Sequence, residues 1–340
     1  DVPRLDYTDG GCPVLFTEPQ SSNILPYSED FTQWAGAIIV STSTSPSPTG
    51  DLNATTYTNI GGQNLATKIN FLSLANTIYS ASVWIKNTGS TFISDSYAKI
   101  EIFGGGEPST ELRLGNILNA APLNEWVRYE ISTTAHLTDI TRTFQIRTDE
   151  ACSIDIFGAQ LEAQANATSY IPTTGAIATR LSDVVKDAGD VNTFNSLEGV
   201  FYAEISALTT NNNDSSSRFI SLSDGTSNKR ISIFYFNNSS TFGFMLLGSG
   251  TDILEFGLGV ADRTQFNKIA VQYKVNDVKV FLNGVSIYSN NVFTSFNVGE
   301  IKTLTLSSGA GGSPFYGKTK SLKVFNTALT DQQLITLTTI

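Results

Sequence analysis

The chain has 340 residues, of which 40% are hydrophobic and only 15% charged, with a formal net charge of −10. That length exceeds what one hydrophobic core usually serves, and that composition is not that of a disordered chain. An acidic chain with no basic stripe argues against a nucleic-acid partner, and no run of about 18 apolar residues offers a transmembrane helix.

Asp1 is not a natural start and no signal peptide opens the chain, so it reads as a mature or excised fragment. Period-two alternation predicts strands at 79–86 (YSASVWIK), 97–103 (YAKIEIF), 111–114 (ELRL), 126–132 (WVRYEIS), 143–148 (TFQIRT) and 153–162 (SIDIFGAQLE). It resumes at 199–208, 218–223, 230–236, 241–247, 267–274, 277–284, 302–308 and 320–325. Many short strands divided by Gly, Asn, Ser and Asp predict an all-β protein of two tandem antiparallel sandwiches with jelly-roll character. The one good helix signal is TDQQLITL (330–337), with Thr330 as N-cap and Gln333 three residues on. STSTSPSPTG (41–50) and NNNDSSS (211–217) read as exposed loops.

Residues 1–187 carry 20 acidic and 10 basic side chains, whereas residues 188–340 carry 11 of each. The break supports a domain boundary near residue 187. The expected division is a lead-in segment 1–22, a sandwich 23–171, a connection 172–189 and a second sandwich 190–340. Cys12 and Cys152 are too few for a zinc site or a disulfide framework. They read either as one bond stapling the ends of the first sandwich or as two buried free thiols.

In the first sandwich each strand has an aliphatic side: Ala81, Val83 and Ile85; Ala98, Ile100 and Ile102; Val127, Tyr129 and Ile131; Phe144 and Ile146. The opposite sides bring Trp84, Lys86, Tyr97, Lys99, Phe103, Arg128, Gln145 and Arg147 into one candidate ligand face. Flat rings stack on the apolar faces of sugars while long polar side chains meet hydroxyls or carboxylates, and the excess of cations suits an anionic polysaccharide. Any one of these aromatics could equally pack beneath a loop. In the second sandwich both sides of 230–236 are apolar enough to leave the outer one open, and Phe315 and Tyr316 form a second aromatic candidate with a packed loop tip as its rival.

PRLDYTDGGCPVLFTEPQSSNILPYSEDFTQW (3–34) resembles the lead-in of phage tail-fibre and adhesin-like proteins, and GAQLEAQANATSYIPTTGAIATRLSDVV (158–185) looks like the matching exit. GVFYAEIS, FNKIAVQYKVNDVKVFLNGV and FYGKTKSLKVFNTALTDQQL resemble a concanavalin A-like or laminin-G-like domain. The resemblance implies a carbohydrate-binding jelly roll followed by a lectin-like sandwich, in a virion tail or a secreted adhesin, with a polysaccharide or bacterial surface glycan as partner. It also implies a homotrimeric fibre as the possible assembly, and a structural Ca²⁺ whose matching ligands would be Glu29 or Asp30 together with Asp155. Solvated acids at strand ends are the simpler account of those three.

A catalytic alternative has thinner support. His136 is the sole histidine, in TTAHLTD, and no G-x-S-x-G, H-E-x-x-H or Walker motif occurs. TELR (110–113) and QIR (145–147) resemble two strands of jelly-roll alginate-type lyases. Ser109 and Arg147 stand where that pattern has Arg and His, and its Tyr-Phe-Lys-Ala-Gly strand is missing. Gln145 and Arg113 could neutralise a carboxylate, but no base for proton abstraction is apparent. Glu101 with Glu130 is the only glycosidase-like pair to suggest itself. The expectation is non-catalytic glycan binding, with a lyase or hydrolase and a ligand-free fibre spacer as alternatives.

Overall fold

The computed structural model describes residues 4–7, 11–36, 38–208, 218–236, 241–248, 252–260 and 262–340. The 211–217 run therefore lies outside the described residues. The protein is all-β, and it divides into a central unit, Gln20–Leu181, and a terminal unit formed by Asp1–Pro19 with Ser182–Ile340.

The central unit holds two five-stranded antiparallel sheets. One, the Lys99 sheet, runs Glu107–Arg113, Ala98–Gly104, Ile140–Thr148, Leu65–Ser73, Ala35–Gly36. The other, the Trp84 sheet, runs Trp126–Ser132, Ser80–Asn87, Cys152–Glu162, Thr55–Asn59, Ile39–Thr42. Alternation turns the aliphatic sides inward as expected: Ala81, Val83, Ile85, Ile100, Ile102, Phe144 and Ile146 are all buried in one core with Tyr57, Phe31 and Trp34. The strand Leu65–Ser73 escapes the sequence pattern because polar Thr67 and Ser73 turn inward while Leu72, more than half exposed, turns outward, so apolar and polar residues do not alternate along it.

The strand Cys152–Glu162 changes register against Ser80–Asn87 between Phe157 and Gln160. Gly158 sits in that bulge at φ 62°, where a Cβ would come within 3.0 Å of the Trp84 ring and 3.2 Å of Tyr170. Glycine is required on both counts. Asn23, fully buried, spans the bulge: its amide donates to the carbonyls of Ala159 (3.1 Å) and Ile171 (3.0 Å), and its oxygen accepts from the N–H groups of Leu25 (3.2 Å) and Leu161 (3.1 Å).

The terminal unit pairs a seven-stranded sheet with a five-stranded one. The seven-stranded sheet begins Leu5–Asp6, Val14–Thr17, Gly317–Phe325, Glu198–Ala207, so the N-terminal residues form its edge, with Leu15 opposite Thr319. Leu5–Asp6 and Val14–Thr17, expected within a separate lead-in, are thus strands of the terminal unit's sheet. The stretch 172–189 is also divided: Ala178–Arg180 pairs with Ser21–Asn23 in the central unit, while Asp183 accepts from the Glu18 N–H at 2.8 Å and Val185 packs on the terminal core. Arg4 reaches both Asp183 and the buried Glu18 carboxylate.

In the five-stranded sheet Ile231, Ile233 and Tyr235 face the sandwich core. Their neighbours Arg230, Ser232 and Phe234 lie on the outer side and are buried as well, in a second cluster of Phe219, Phe234 and Met245. Phe315 is 1% exposed, so it is a packed residue and not a surface aromatic; Tyr316 lies beneath the Arg218 guanidinium at 4.9 Å. The C-terminal helix spans Asp331–Thr338 and has the expected capping box between Thr330 and Gln333. Both cysteines are free, Cys12 exposed and Cys152 buried, with burial pushing the Cys152 thiol's pKa up.

Deleting residues 1–17 strips two strands from the seven-stranded sheet and leaves Glu18 without Arg4. Calorimetry is expected to show a lowered terminal-unit transition while the central-unit transition keeps its temperature; a single unshifted thermogram would contradict the pairing.

Candidate functional site

The eight-residue face read from the sequence does not exist as one surface. Alternation fixes inside and outside for each strand, but not the sheet to which a strand belongs. Trp84, Lys86 and Arg128 project from the outer side of the Trp84 sheet, whereas Lys99, Phe103, Gln145 and Arg147 project from the outer side of the Lys99 sheet. The same division separates Glu101 from Glu130, which rules them out as a glycosidase pair. Tyr97 belongs to neither face: it ends the short turn Asp95–Tyr97 and packs against the core.

The outer side of the Trp84 sheet is roofed by the chain that follows it. Arg128 lies 4.5 Å over the Trp84 ring, where a sugar would have to stack, and donates to the Thr168 carbonyl (2.7 Å) and the Ser82 hydroxyl (2.8 Å). Tyr170 meets Trp84 edge-on with centroids 5.3 Å apart. Ser132 donates to the Ala165 carbonyl. The segment 41–50, expected to be a free loop, closes another part of this side: Ser43 and Ser47 are buried, and the Pro46 carbonyl accepts from the Trp126 indole at 2.9 Å. Lys86 is 3% exposed and holds Asp155, equally buried, at 3.0 Å.

Those contacts also answer the question of calcium. The Asp155 carboxylate is taken by Lys86, by Ser43 at 2.9 Å and by Thr56 at 2.8 Å. Glu29 accepts from Tyr170 (2.9 Å) and Asn53 (2.8 Å), and Asp30 caps the turn Phe31–Gln33 through the Thr32 N–H. Glu29 and Asp30 line a cleft of about 500 Å³ with Tyr27, Asn53 and Thr174, and Asp155 is not among its walls. The three carboxylates therefore do not fit one calcium site, and no group of three or more His, Cys, Asp or Glu among the described residues is arranged for a metal.

The outer side of the Lys99 sheet carries a crosswise polar network instead. Glu111, Glu101, Gln145 and Lys68 sit at matching positions on four neighbouring strands, and Arg113, Lys99 and Arg147 form the next row. Lys99 bridges Glu111 (2.7 Å) and Glu101 (3.1 Å), Gln145 donates to Glu101 at 2.6 Å, and Arg147 forks onto Asp149 at 2.8 and 2.9 Å. Hydrogen bonds from Lys99 and Arg113 hold the Glu111 carboxyl below its usual pKa range. Half-buried Phe103 lies beside Thr143, which donates to exposed Asn70, and Lys68 is exposed in the adjoining row. Lys68 and Asn70 were missed in the sequence because the strand that carries them was missed. His136, by contrast, sits exposed on a loop with its Nδ1 against the Thr138 carbonyl at 2.8 Å.

Residues 207–335 match a laminin G family described as the concanavalin A-like lectin/glucanases superfamily. No curated protein matches the chain. Among solved structures the chain is similar to the carbohydrate-binding module CBM40 of the Ruminococcus gnavus IT-sialidase bound to α2,3-sialyllactose, at 16% identity over 46% of this chain and 97% of that one, TM-score 0.37. Domain 4 of AbnA, an extracellular arabinanase from Geobacillus stearothermophilus in complex with arabinotriose, is 19% identical over 52% of this chain and 80% of that one, TM-score 0.36. A tail fibre protein, gp63.1, of an E. coli phage is 8% identical over 93% of this chain and 41% of that one, TM-score 0.25. Among the described residues no helix is long and apolar enough to cross a membrane.

The buried Lys86–Asp155 pair gives a direct check on the roofed side. Lys86→Met strands a carboxylate and is expected to cost about 3–5 kcal/mol in urea unfolding, while Lys86→Met with Asp155→Leu recovers most of that loss. Equal costs for the single and double variants would show that the two groups do not act as a pair.

Proposed function

We propose that the chain binds a polysaccharide or cell-surface glycan without catalysing its cleavage, as a module of a phage tail or a secreted adhesin. One observation carries this reading: of the central sandwich's two outer sides, one is roofed by the protein's own chain, while the other sets exposed Lys68 and Asn70 and half-buried Phe103 around a preorganised network whose Glu101 and Gln145 are themselves buried. The network's hydrogen bonds lock Lys99, Glu101 and Gln145 in place before any ligand arrives, so little side-chain entropy remains to be lost on binding. Phe103 offers a flat apolar platform, and Lys68 and Asn70 offer donors at its side. The lectin/glucanase family match of residues 207–335 supports glycan recognition in the terminal unit. The resemblance of 3–34 and 158–185 to tail-fibre and adhesin proteins supports the setting.

Affinity electrophoresis against a panel of polysaccharides tests this. Phe103→Ala and the pair Lys68→Ala with Asn70→Ala are expected to weaken retention about ten-fold, roughly the worth of one ring stack or two lost hydrogen bonds. Trp84→Phe, on the roofed side, is expected to leave retention alone. Unchanged retention in the first two variants, with the fold intact by circular dichroism, would overturn the assignment of the face.

A further inference from the structure

The cleft that Glu29 and Asp30 line lies wholly within the central unit, where stretches distant in sequence meet: 27–32, the end of the edge strand Ile39–Thr42, the run 52–55 and residues 173–174. Its frame is fixed by the backbone. Tyr27 bridges Thr174, the Thr173 N–H donates to the Ser28 hydroxyl (2.8 Å), and the Thr173 carbonyl accepts from the Ser28 N–H (3.4 Å). Its volume of about 500 Å³ is that of a small-molecule site. No residue of the Lys99-sheet network is among its walls.

Two polar atoms of the residues that wall this cleft have no partner in the protein. The Asn53 Nδ2 donates to Glu29 at 2.8 Å, which fixes the amide's orientation and leaves its Oδ1 as an unmet acceptor. Thr173 is 4% exposed, its backbone groups are engaged by Ser28, and its Oγ1 bonds to nothing. A polar atom shielded from water and left unpaired is a cost that a valine in place of Thr173 would avoid. Spare acceptors lie nearby. Asp30 spends one oxygen on the Thr32 N–H (3.1 Å) and hydroxyl (2.5 Å), and its other oxygen takes no hydrogen bond. Each Glu29 oxygen accepts one hydrogen bond, from Tyr170 or Asn53, and has room for a second. Half-buried Tyr27 and exposed Leu52 add apolar surface.

We propose that this cleft is a sugar subsite separate from the Lys99 sheet, selective for an uncharged, hydroxyl-rich unit. Sugar hydroxyls both donate and accept, so one ring can give protons to Asn53, Glu29 and Asp30 and also meet the Thr173 hydroxyl, with its apolar side on Tyr27 or Leu52. A uronate or sulfated unit would bring an anion beside two carboxylates, and no Lys, Arg or His lines the cleft to offset it. An amine would use the carboxylates alone and leave the apolar surface without a counterpart. The subsite goes beyond the glycan face proposed above and does not depend on it.

The test is saturation-transfer and titration NMR on the full chain with methyl glucoside, methyl galactoside and methyl mannoside, against glucuronate, galacturonate and glucosamine. Wild type is expected to bind at least one of the neutral glycosides, and the charged sugars at least about ten-fold more weakly. Thr173→Val removes a hydroxyl that the protein does not use, so its Tm should equal or exceed that of wild type while glycoside binding weakens about five-fold. Thr174→Trp, at an exposed position of the wall, should abolish binding with the circular dichroism spectrum unchanged. Lys68→Ala with Asn70→Ala should leave glycoside binding intact. Absence of binding to all the neutral glycosides would overturn the subsite, as would binding that both cleft variants keep. A lower Tm in Thr173→Val would show that the fold itself uses the hydroxyl, and would also overturn it. Charged sugars bound as tightly would overturn the uncharged class, and binding lost in EDTA but restored by Ca²⁺ would make this a metal site instead. Glycoside binding lost only in the Lys68 and Asn70 variant would belong to the Lys99 sheet and not to the cleft. Polysaccharide retention indifferent to Phe103, Lys68 and Asn70, with glycoside binding still sensitive to Thr173 and Thr174, would overturn the Lys99-sheet face and leave the cleft.

Discussion

The central sandwich depends on a set of buried polar side chains that tie its last strand to the chain on either side of it. Asn23 uses both amide hydrogens and its oxygen to join the first strand, the bulge at Gly158 and the segment after it. Gln160 accepts from the Ile171 N–H at 2.7 Å and donates to the Thr168 carbonyl at 3.2 Å. Glu162, with no exposed surface, accepts from Ser21, Gln164 and both the N–H and the hydroxyl of Thr168. Each group would be costly to bury alone; satisfied together they rigidify one another. This is why residues 163–175 lie down on the Trp84 sheet instead of leaving it as a free connection.

The difference between the two outer sides of the central sandwich follows from that roof. Once Thr168 and Tyr170 are pinned, Arg128 and Trp84 become structural partners, and among the described residues of the central sandwich the outer side left with polar groups beside an aromatic ring belongs to the Lys99 sheet. The terminal unit handles its five-stranded sheet in a similar way. Phe219 and Phe234 stack 4.6 Å apart on the outer side, and Ser221 donates to the Ser307 carbonyl of the loop that covers it. In both units, the outer side that carries a cluster of stacked aromatics, Trp84 with Phe157 and Tyr170 or Phe219 with Phe234, is one that the chain itself covers. An aromatic in a strand is thus weak evidence for a ligand until the segment above it is known.

Most of the strands were legible because alternation is local. Trp126–Ser132, Arg218–Ser223, Thr241–Leu247 and Asn267–Lys274 coincide with their patterns, and the capping box at Thr330 announces the last helix. The aliphatic sides were legible for the same reason. Leu65–Ser73 was not, because it turns Leu72 to solvent and buries Thr67 and Ser73, and with it went Lys68 and Asn70. The pairing of Val14–Thr17 with Gly317–Phe325 was not legible either, since it joins residues about 300 apart through backbone groups that carry no sequence signature.

By itself, then, the sequence determined the all-β class, the position of most strands and the inward side of each. Side-chain period and turn chemistry act over a few residues and suffice for that. Only the tertiary structure decided which strands share a sheet, and so broke one apparent face of eight residues into a roofed side, an open side and a core contact. The same long-range packing gave buried Lys86 its partner Asp155, because whether a polar side chain has a partner depends on what the rest of the chain brings to it.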